Sequence, residues 1–220
     1  MTSQPAELYD YDALRNEARA TLFVVRPDRP TLVLGSAQSI DVLDAHRVGD
    51  IPVLRRRGGG GLVLLRPDDI WIDWWIPVDD ARWRGDVHAS SRQAGEWWVQ
   101  VLKDRVRGEI TVHDGALEGD PEFRLVCFAG RGPGEVFVDG IKAVGVTQWR
   151  VREGIFVSSV MHAHPSTDIL SYLREVPEGL EHALRHHVLS TMTDEPVESL
   201  VESITNVGGP WQQRSIQLHA

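Results

Sequence analysis

The sequence predicts an α+β fold with a mixed, largely antiparallel sheet flanked by helices. Short apolar runs of strand length outnumber the segments with helical spacing, and turn signals join most of these runs after a few residues. The composition, with 42% hydrophobic and 25% charged residues, is that of an ordinary globular domain. A chain of 220 residues should bury about 70% of the surface that its unfolded form exposes, so we expect one domain over residues 1–220.

The first half of the chain supplies most of the predicted strands. Helical spacing of Leu14, Ala18 and Leu22 predicts an opening helix over residues 12–21. Strands are expected at residues 21–25, 31–34, 53–54 and 62–65, and a dense apolar run predicts a buried strand at residues 70–76.

The second half begins with a helix and ends with helical segments. Apolar positions repeat every three to four residues between 87 and 106, which predicts a helix with a stripe made by Trp97 and Trp98. A strand is expected at residues 155–161, and a closing helical part from 169–173. Residues 178–220 are predicted to form one or two helices and a tail.

A run of arginines and glycines is the first candidate binding segment, Arg55-Arg56-Arg57-Gly58-Gly59-Gly60-Gly61. Residues without a Cβ let the backbone approach a ligand and offer N–H groups to an anion, and guanidinium groups favour phosphate or carboxylate. The spacing matches neither a P-loop nor G-x-G-x-x-G, so we exclude both nucleotide motifs. An exposed loop without a ligand is the alternative.

A lysine between turn residues is the second candidate segment, Asp139-Gly140-Ile141-Lys142-Ala143-Val144-Gly145. Asp-Gly is a common hairpin signal, so a plain turn is the alternative explanation. An ammonium with three donors would stabilise the same anion, or a carbonyl oxygen that gains charge. Lys142 is therefore a candidate catalytic residue.

In their order and surroundings, the two segments resemble motifs of the lipoate protein ligase A family, within the biotin and lipoate protein ligases and octanoyltransferases. That family has a strand ending in Leu-Gly and a Gln, then Arg-Arg-x-Ser/Thr-Gly-Gly-Gly, and later Asn/Asp-Gly-x-Lys-x-x-Gly-x-x-Gln. Leu34-Gly35 and Gln38 precede the first motif here. The resemblance implies the catalytic domain of that group and substrate-binding roles for Arg55, Arg56, Gly58, Gly59, Gly60, Gly61, Gly145 and Gln148.

The sequence also departs from the family pattern. Gly58 stands where the family has Ser or Thr, and Leu65-Arg66 replaces its His-Asp pair. Ser159 lies where the family continues with His-Gly. These losses of polar groups leave open a second class of function, a non-catalytic binder of lipoyl or related acyl compounds.

The single cysteine is a second candidate catalytic residue. Because Cys127 is the only cysteine, the chain cannot form an internal disulfide, which fits a reducing cytoplasm. Some octanoyltransferases of the family carry Cys-Phe at the spacing that separates Cys127-Phe128 from Lys142, and they use the cysteine as the acyl-accepting nucleophile. An ammonium nearby would favour the reactive thiolate. A small buried hydrophobe is the alternative.

The resemblance implies two routes to one product. In a ligase, lipoate and ATP with Mg²⁺ form an acyl adenylate, with Lys142 between carboxylate and phosphate oxygens. In a transferase, a thioester donor such as an acyl carrier protein acylates Cys127 and no cofactor is needed. Either route places a lipoyl or octanoyl group on a lysine of a lipoyl carrier domain or of a glycine cleavage H-type protein.

Length favours the transferase. Ligases of the family commonly carry an extra C-terminal domain, and the segment after Leu173 leaves little room for one, since about 40 residues rarely support a core of their own. We therefore expect no separate accessory domain. A ligase whose accessory domain is a second chain is the alternative.

Charge and hydropathy narrow the partners and the compartment. A net charge of −9 argues against nucleic acid, with Arg55, Arg56, Arg57 and Arg66 as a local positive patch for an anionic ligand or an acidic carrier domain. No apolar run approaches the roughly 18 residues that span a bilayer, and the first residues lack a secretory h-region. We expect a cytoplasmic protein without a membrane partner.

Tryptophans and histidines receive weaker assignments. Trp71, Trp74, Trp75 and Trp149 are candidates for the wall of an acyl tunnel, whereas Trp97 and Trp98 are expected in the core. The histidines lack a full ligand set, so we predict no metal site and place them at the surface: His162, His164, His182, His186 and His187.

Overall fold

The structure is a computed structural model that describes residues 5–165, 167–184 and 193–218. The described strands are β1 (Ala6–Glu7), β2 (Thr21–Pro27), β3 (Thr31–Leu34), β4 (Val53–Arg55), β5 (Val63–Leu65), β6 (Ile70–Pro77), β7 (Ile110–Val112), β8 (Val136–Val138), β9 (Ile141–Val151), β10 (Gly154–Met161) and β11 (Gln212–Leu218). The described α-helices are α1 (Tyr11–Leu14), α2 (Ala45–Val48), α3 (Val87–Leu102), α4 (Leu180–Ala183) and α5 (Val197–Asn206). Short 3₁₀ segments lie at Ile40–Val42, Pro121–Leu125, Cys127–Ala129 and Thr167–Tyr172.

The strands form two sheets. The larger has the order β11-β2-β6-β10-β9-β8-β7, and its pairs are antiparallel except for β11 on β2. The smaller, β1-β4-β3-β5, contains both parallel and antiparallel pairs. The predicted α+β fold with a mixed, largely antiparallel sheet is confirmed.

The central strands β6 and β10 are buried along their whole length because both faces of the large sheet are covered. Side chains alternate between the faces of a strand. Trp71, Trp75 and Phe156 point into a core shared with the small sheet, whereas Trp74 and Val157 pack in a second core with α3 and α5. This placement explains why β6 is apolar without alternation.

Helix α3 covers the outer face of the large sheet. Asp86 caps its N-terminus by accepting from the N–H of Ala89, and the predicted stripe of Ala94, Trp97 and Trp98 is buried as expected. The helix ends at Leu102, four residues before the predicted end. None of the helices in the described ranges is both long and apolar enough to cross a bilayer.

Two predicted segments differ from the structure. The helix expected over 12–21 is a single turn, α1, because Thr21 begins β2 and the pairing of β2 with β6 and β11 takes precedence over helical spacing. The tail predicted for 178–220 contains β11, which pairs in parallel with β2 through backbone hydrogen bonds. Polar and apolar residues alternate only weakly along β11, so the sequence pattern does not predict a strand there.

Candidate active site

The two predicted segments meet at one cavity of about 270 Å³. It lies between the glycine run, the first turns of α3, the loops before β8 and the strand β9. Its walls are mostly apolar, and they include one lysine, one thiol and one carboxylate. The lining residues are Gly59, Gly60, Gly61, Val87, Ser91, Leu117, Arg124, Val126, Cys127, Gly130, Arg131, Gly132, Pro133, Glu135, Lys142, Val146, Thr147 and Gln148.

Lys142 lies in the cavity wall, two residues after the hairpin turn. Asp139 and Gly140 have φ of 49° and 76°, the two left-handed conformations that a type I′ turn requires, so this part of the segment is indeed a hairpin turn. The lysine side chain is 3% exposed. Its Nζ donates to the carbonyl oxygen of Cys127 over 3.0 Å and lies 2.6 Å from the Glu135 carboxylate.

Glu135 is a site residue that sequence reasoning missed. Its carboxylate is buried and also accepts from the main-chain N–H of Gly132 over 2.7 Å. Burial raises the pKa of Glu135 above its ordinary value, although the Lys142 ammonium acts in the opposite direction. The sequence signal was a single carboxylate at the start of an apolar strand, next to the Asp139-Gly140 turn.

Cys127 lies in the same wall, at the start of the 3₁₀ turn Cys127–Ala129, and its main-chain N–H donates to the carbonyl of Leu62. We expected the lysine to favour the thiolate. Burial instead raises the pKa of the Cys127 thiol, outweighing the charges of Arg56 and Lys142, which lower it. Lys142 does act in the expected direction, but desolvation of the thiolate exceeds its attraction to the two cations.

The glycine loop, residues 58–61, is stabilised by hydrogen bonds from the buried side chain of Arg56. Its guanidinium is 1% exposed and donates to the carbonyl oxygens of Gly61, Gly59 and Val33 at 2.7, 2.9 and 3.2 Å. The loop also lies close to Gly35, where a Cβ would be only 2.0 Å from the carbonyl oxygen of Gly60. The family's Leu-Gly before the first motif therefore has a packing reason here.

The other arginines of the predicted positive patch are also occupied by the protein. Arg55 donates to the main-chain carbonyls of Gly35, Ser36 and Gln38. Arg57 pairs with Glu7 and Asp12, and Arg66 pairs with Asp168. Carboxylates thus balance the charge of Arg57 and Arg66, whereas Arg55 and Arg56 bond neutral carbonyls and keep their positive charge.

Strand β9 connects the glycine loop to α3. Thr147 Oγ1 donates to the carbonyl of Gly59 over 3.0 Å, and Gly58 packs beside the same threonine. Gln148 Nε2 donates to the carbonyl of Val87, in the first turn of α3, over 2.8 Å. The predicted Gln148 thus lines the cavity, and its amide is bonded to the first turn of α3, which lines the cavity as well.

A smaller cavity of about 10 Å³ shares the lining residues Cys127, Val146 and Thr147 with the first. Trp71, Gly145 and Arg56 also line it. Of the tryptophans predicted for a tunnel, Trp71 thus lines this smaller cavity. Trp74 lies in the other core against Trp97, and Trp149 packs against Tyr11 outside both cavities.

A buried carboxylate lies next to Trp71. Asp73 accepts hydrogen bonds from the Tyr9 hydroxyl and from Trp71 Nε1, the latter at 2.7 Å. Burial raises the pKa of Asp73 to about 7, even though the hydrogen bonds from Tyr9, Ser158 and Trp71 lower it. Asp73 was not among the predicted site residues, because a lone acid within an apolar strand gives no indication of its partners.

The histidine predictions have mixed outcomes. His162 was expected at the surface, but it is 1% exposed and its Nδ1 lies 3.0 Å from the Asp69 carboxylate, which the fold buries beside it. His164 is exposed as expected. His186 and His187 lie outside the described residues. Within the described ranges, no three His, Cys, Asp or Glu side chains converge on a metal site.

The geometry has a counterpart among known proteins. A sequence profile of the lipoyl protein ligase A/B catalytic domain matches residues 7–210, which include every residue of the cavity wall. The chain belongs to the lipoyl protein ligase A/B catalytic domain family. The resemblance inferred from the two motifs is confirmed, and the match extends beyond the stretch from which it was inferred.

Solved structures of lipoyl protein ligases share the fold. The T. acidophilum protein Ta0514 with bound lipoic acid superposes with a TM-score of 0.72 at 16% identity, over 98% of this chain and 87% of its own. The lipoate-protein ligase A structure bound with ATP has a TM-score of 0.68 at 17% identity, over 95% of this chain and 80% of its own. At these identities the comparison establishes the fold alone.

A third structure of the same fold is that of a ligase studied together with its partner domain. The bi-partite lipoate protein ligase of Thermoplasma acidophilum, described with its E2 lipoyl domain, has a TM-score of 0.70 at 16% identity, over 94% of this chain and 80% of its own. No curated protein matches the chain in sequence. The profile match establishes the family, and the superpositions establish the fold.

Proposed function

We propose that this protein attaches a lipoyl or octanoyl group to a lysine of a lipoyl carrier domain. One observation carries the proposal: two motifs far apart in sequence line a single cavity, with Lys142 from one motif and Gly59, Gly60 and Gly61 from the other. Membership of the lipoyl protein ligase A/B family supports the same class of reaction.

The cavity suits an acyl chain that ends in a reactive carbonyl. Val87, Val126 and Val146 supply apolar wall for the chain, and Lys142 places a charged donor beside the position of the carbonyl. Negative charge develops on that oxygen when an amine attacks, and a fixed ammonium stabilises it. Lys142 is therefore the proposed catalytic residue in either of the two routes.

The ligase route requires the phosphates of ATP to approach Lys142. Arg124 and Arg131 are exposed at the rim of the cavity and supply further positive charge for an anionic group. The carboxylate on the wall, Glu135, is paired with Lys142, and the described residues contain no ready-made metal site. Mg²⁺ in nucleotide sites is usually held by one or two carboxylates together with substrate phosphates, so the ion would have to be bound chiefly by the phosphates of ATP.

The transferase route uses Cys127. Its thiolate would attack the thioester carbonyl of the donor, the donor thiol would leave with the proton, and the carrier lysine would then displace the cysteine sulfur. Cys127 lines the cavity with Lys142, which supports this route. The raised pKa of its thiol opposes it, because only the thiolate is nucleophilic. Donor binding would have to bring about the deprotonation.

Two assays on the same protein test the proposal and separate the routes. One supplies octanoyl acyl carrier protein and a lipoyl carrier domain; the other supplies lipoate, ATP and Mg²⁺ with the same domain. Mass spectrometry reads the acylation of the carrier lysine. Activity that needs ATP and survives Cys127→Ser supports the ligase route. A hydroxylamine-sensitive octanoyl adduct that Cys127→Ser abolishes supports the transferase.

The same assays address the non-catalytic binder. That alternative predicts lipoate binding, measured by calorimetry, with no acylated carrier domain in either assay. Acylation that Lys142→Met abolishes while octanoate or lipoate still binds would establish an enzyme. A glycine cleavage H-type protein, offered in place of the lipoyl domain, tests which carrier the site accepts.

A further inference from the structure

We propose that Glu135 is a positioning residue for Lys142: it orients the ammonium and keeps it charged, so that one N–H remains directed to the acyl carbonyl of the substrate. The inference rests on the proposed function, in which Lys142 polarises that carbonyl. Nothing in the family motifs pointed to this carboxylate. Its role follows from the contacts around the ammonium.

The donors of Lys142 can be accounted for one by one. An ammonium has three N–H groups and no acceptor. One is directed to the carboxylate of Glu135, 2.6 Å away, and another to the carbonyl oxygen of Cys127, 3.0 Å away. The third is engaged by neither of these oxygens; Nζ also lies 5.4 Å from the centre of the Phe128 ring. Because Lys142 lines the cavity, this third N–H is the donor that we assign to the substrate carbonyl.

Glu135 is itself immobilised, so it is able to fix its partner. Its carboxylate accepts from the main-chain N–H groups of Gly132 and Val146. The preceding Gly134 has a φ of 80° and packs so tightly on α3 that a Cβ would be 2.1 Å from the carbonyl oxygen of Ser91. The loop that carries Glu135 is therefore locked onto the helix.

The location of the pair argues against a purely structural role. A buried ion pair seldom adds net stability, because desolvation of both charges offsets their attraction. Both residues of this pair line the cavity, and Lys142 is the residue proposed to contact the substrate. The carboxylate there also balances the charge of the ammonium, so the ion pair adds no net charge to the cavity wall.

Other ionisable groups near the ammonium lie further out or are already engaged. Cys127, Arg124 and Arg131 lie on the loops around the main cavity. Glu118 and Arg131 lie in a second cavity that also reaches Lys142. Glu135 is the carboxylate in direct contact with the ammonium, so its substitution is the change expected to alter the protonation of Lys142.

The first experiment compares the kinetics of Glu135→Gln and Glu135→Asp with wild type. Glutamine keeps an acceptor for Gly132 but removes the charge, and aspartate keeps the charge but shortens the reach. We expect kcat to fall about 10²-fold in Glu135→Gln, with KM for the acyl donor within about twofold. A buried ammonium without its carboxylate loses its proton more easily, so the alkaline limb of the pH–rate profile should move toward neutrality.

The second experiment needs no activity. Lys103 and Lys142 are the only lysines in the sequence, and Lys103 is exposed. Acetylation by an N-hydroxysuccinimide ester, followed by peptide mass spectrometry, gives the labelling of Lys142 relative to Lys103 as pH rises. We expect this ratio to increase several-fold in Glu135→Gln, because a larger share of Lys142 is neutral, and to stay near the wild-type value in Glu135→Asp.

The outcomes are distinguishable. The exposed Glu109→Gln is the matched control and should leave both readouts unchanged. A folded Glu135→Gln variant with wild-type kcat, pH profile and labelling ratio would overturn the inference. If wild type acylates no carrier with either donor, the proposed function fails, and the labelling ratio still decides whether Glu135 controls the charge of Lys142.

Discussion

The buried guanidinium of Arg56 donates to the carbonyl oxygen of Gly61 across 2.7 Å. The same group also bonds the carbonyls of Gly59 and Val33, so one side chain joins the glycine loop to strand β3. A motif in which arginine precedes glycines suggests direct contact with an anion. In this protein the arginine instead sets the shape of the loop that lines the cavity.

Replacement of Arg56 by lysine should therefore loosen the loop. A single ammonium cannot reproduce the planar fork that reaches three carbonyls, and buried carbonyls without partners are costly. We expect Arg56→Lys to lower the free energy of unfolding by about 2–3 kcal/mol and to raise KM for the acyl substrate. Urea denaturation and steady-state kinetics measure the two effects.

Arg152→Lys is the control for this substitution, because the side chain of Arg152 is 93% exposed. It should change stability by no more than about 0.5 kcal/mol. Equal denaturation midpoints for Arg56→Lys and wild type would show that the loop does not depend on the guanidinium.

The glycines of the loop should differ sharply in their tolerance of alanine. A Cβ at Gly61 would be 2.6 Å from the carbonyl oxygen of Arg124 and 2.7 Å from the N of Cys127, and both are backbone atoms. Gly59 has nothing within 4 Å of the same position. We expect Gly61→Ala to cost about 1–3 kcal/mol, from overpacking, and Gly59→Ala to remain within about 0.5 kcal/mol of wild type.

Thermal unfolding of the two glycine variants checks this contrast. Because Gly61 packs against Cys127, Gly61→Ala should also weaken acyl binding in proportion to its loss of stability. Similar melting temperatures for the two variants would contradict the close packing of the loop against the segment that carries Cys127.

The fold was predictable where one residue pattern determines one structure. The continuous apolar run gave β6, the spacing of Trp97 and Trp98 gave α3, and Asp139-Gly140 gave the turn before β9. Strand β11 was not predictable, because its polar sequence joins the sheet through backbone hydrogen bonds that any residues can make. Tertiary pairing likewise reduced the expected first helix to one turn.

The candidate site was likewise predictable from the sequence only in part. Lys142, Cys127, Gly59, Gly60 and Gly61 were found from motifs, and the structure brings them to one cavity, although their roles stay predictions. Gly58 and Gly145, predicted from the same motifs, do not line that cavity. Arg56 bonds Gly59 and Gly61 in its own loop and Val33 in β3, and Glu135 pairs with Lys142 across the β8–β9 hairpin. These partners are mostly near in sequence, but the sequence does not show that the fold buries these charged groups together. The direction of the Cys127 pKa depended on burial, which no spacing reveals.

The pair of Lys142 and Glu135 should behave as a unit in stability measurements. Lys142→Met leaves a buried carboxylate without its partner, which typically costs about 3–5 kcal/mol. Adding Glu135→Gln removes that charge, so the double variant should be more stable than the sum of the two single changes indicates. A double-mutant cycle in urea measures the coupling, and strictly additive effects would contradict the pair.

Asp73 should make stability depend on pH near neutrality. Burial raises its pKa from an ordinary 3.8 to about 7, so between these values the folded protein keeps a proton that the unfolded chain has released. The contribution of Asp73 is therefore fully present below about pH 4 and is lost as pH rises toward 7. Its size is at most about 4 kcal/mol.

Asp73→Asn isolates this effect, because asparagine has the same shape and does not titrate. We expect the stability of wild type relative to Asp73→Asn to decline between roughly pH 4.5 and 7.5. Over most of this range the unfolded chain has released the proton of Asp73 and the folded protein has not. Glu135, whose pKa is also raised by burial, is present in both proteins and cancels in the difference. The exposed Asp104→Asn should give no such slope. Parallel curves for wild type and Asp73→Asn would mean that the buried carboxyl is ionised throughout, held by Tyr9, Trp71 and Ser158.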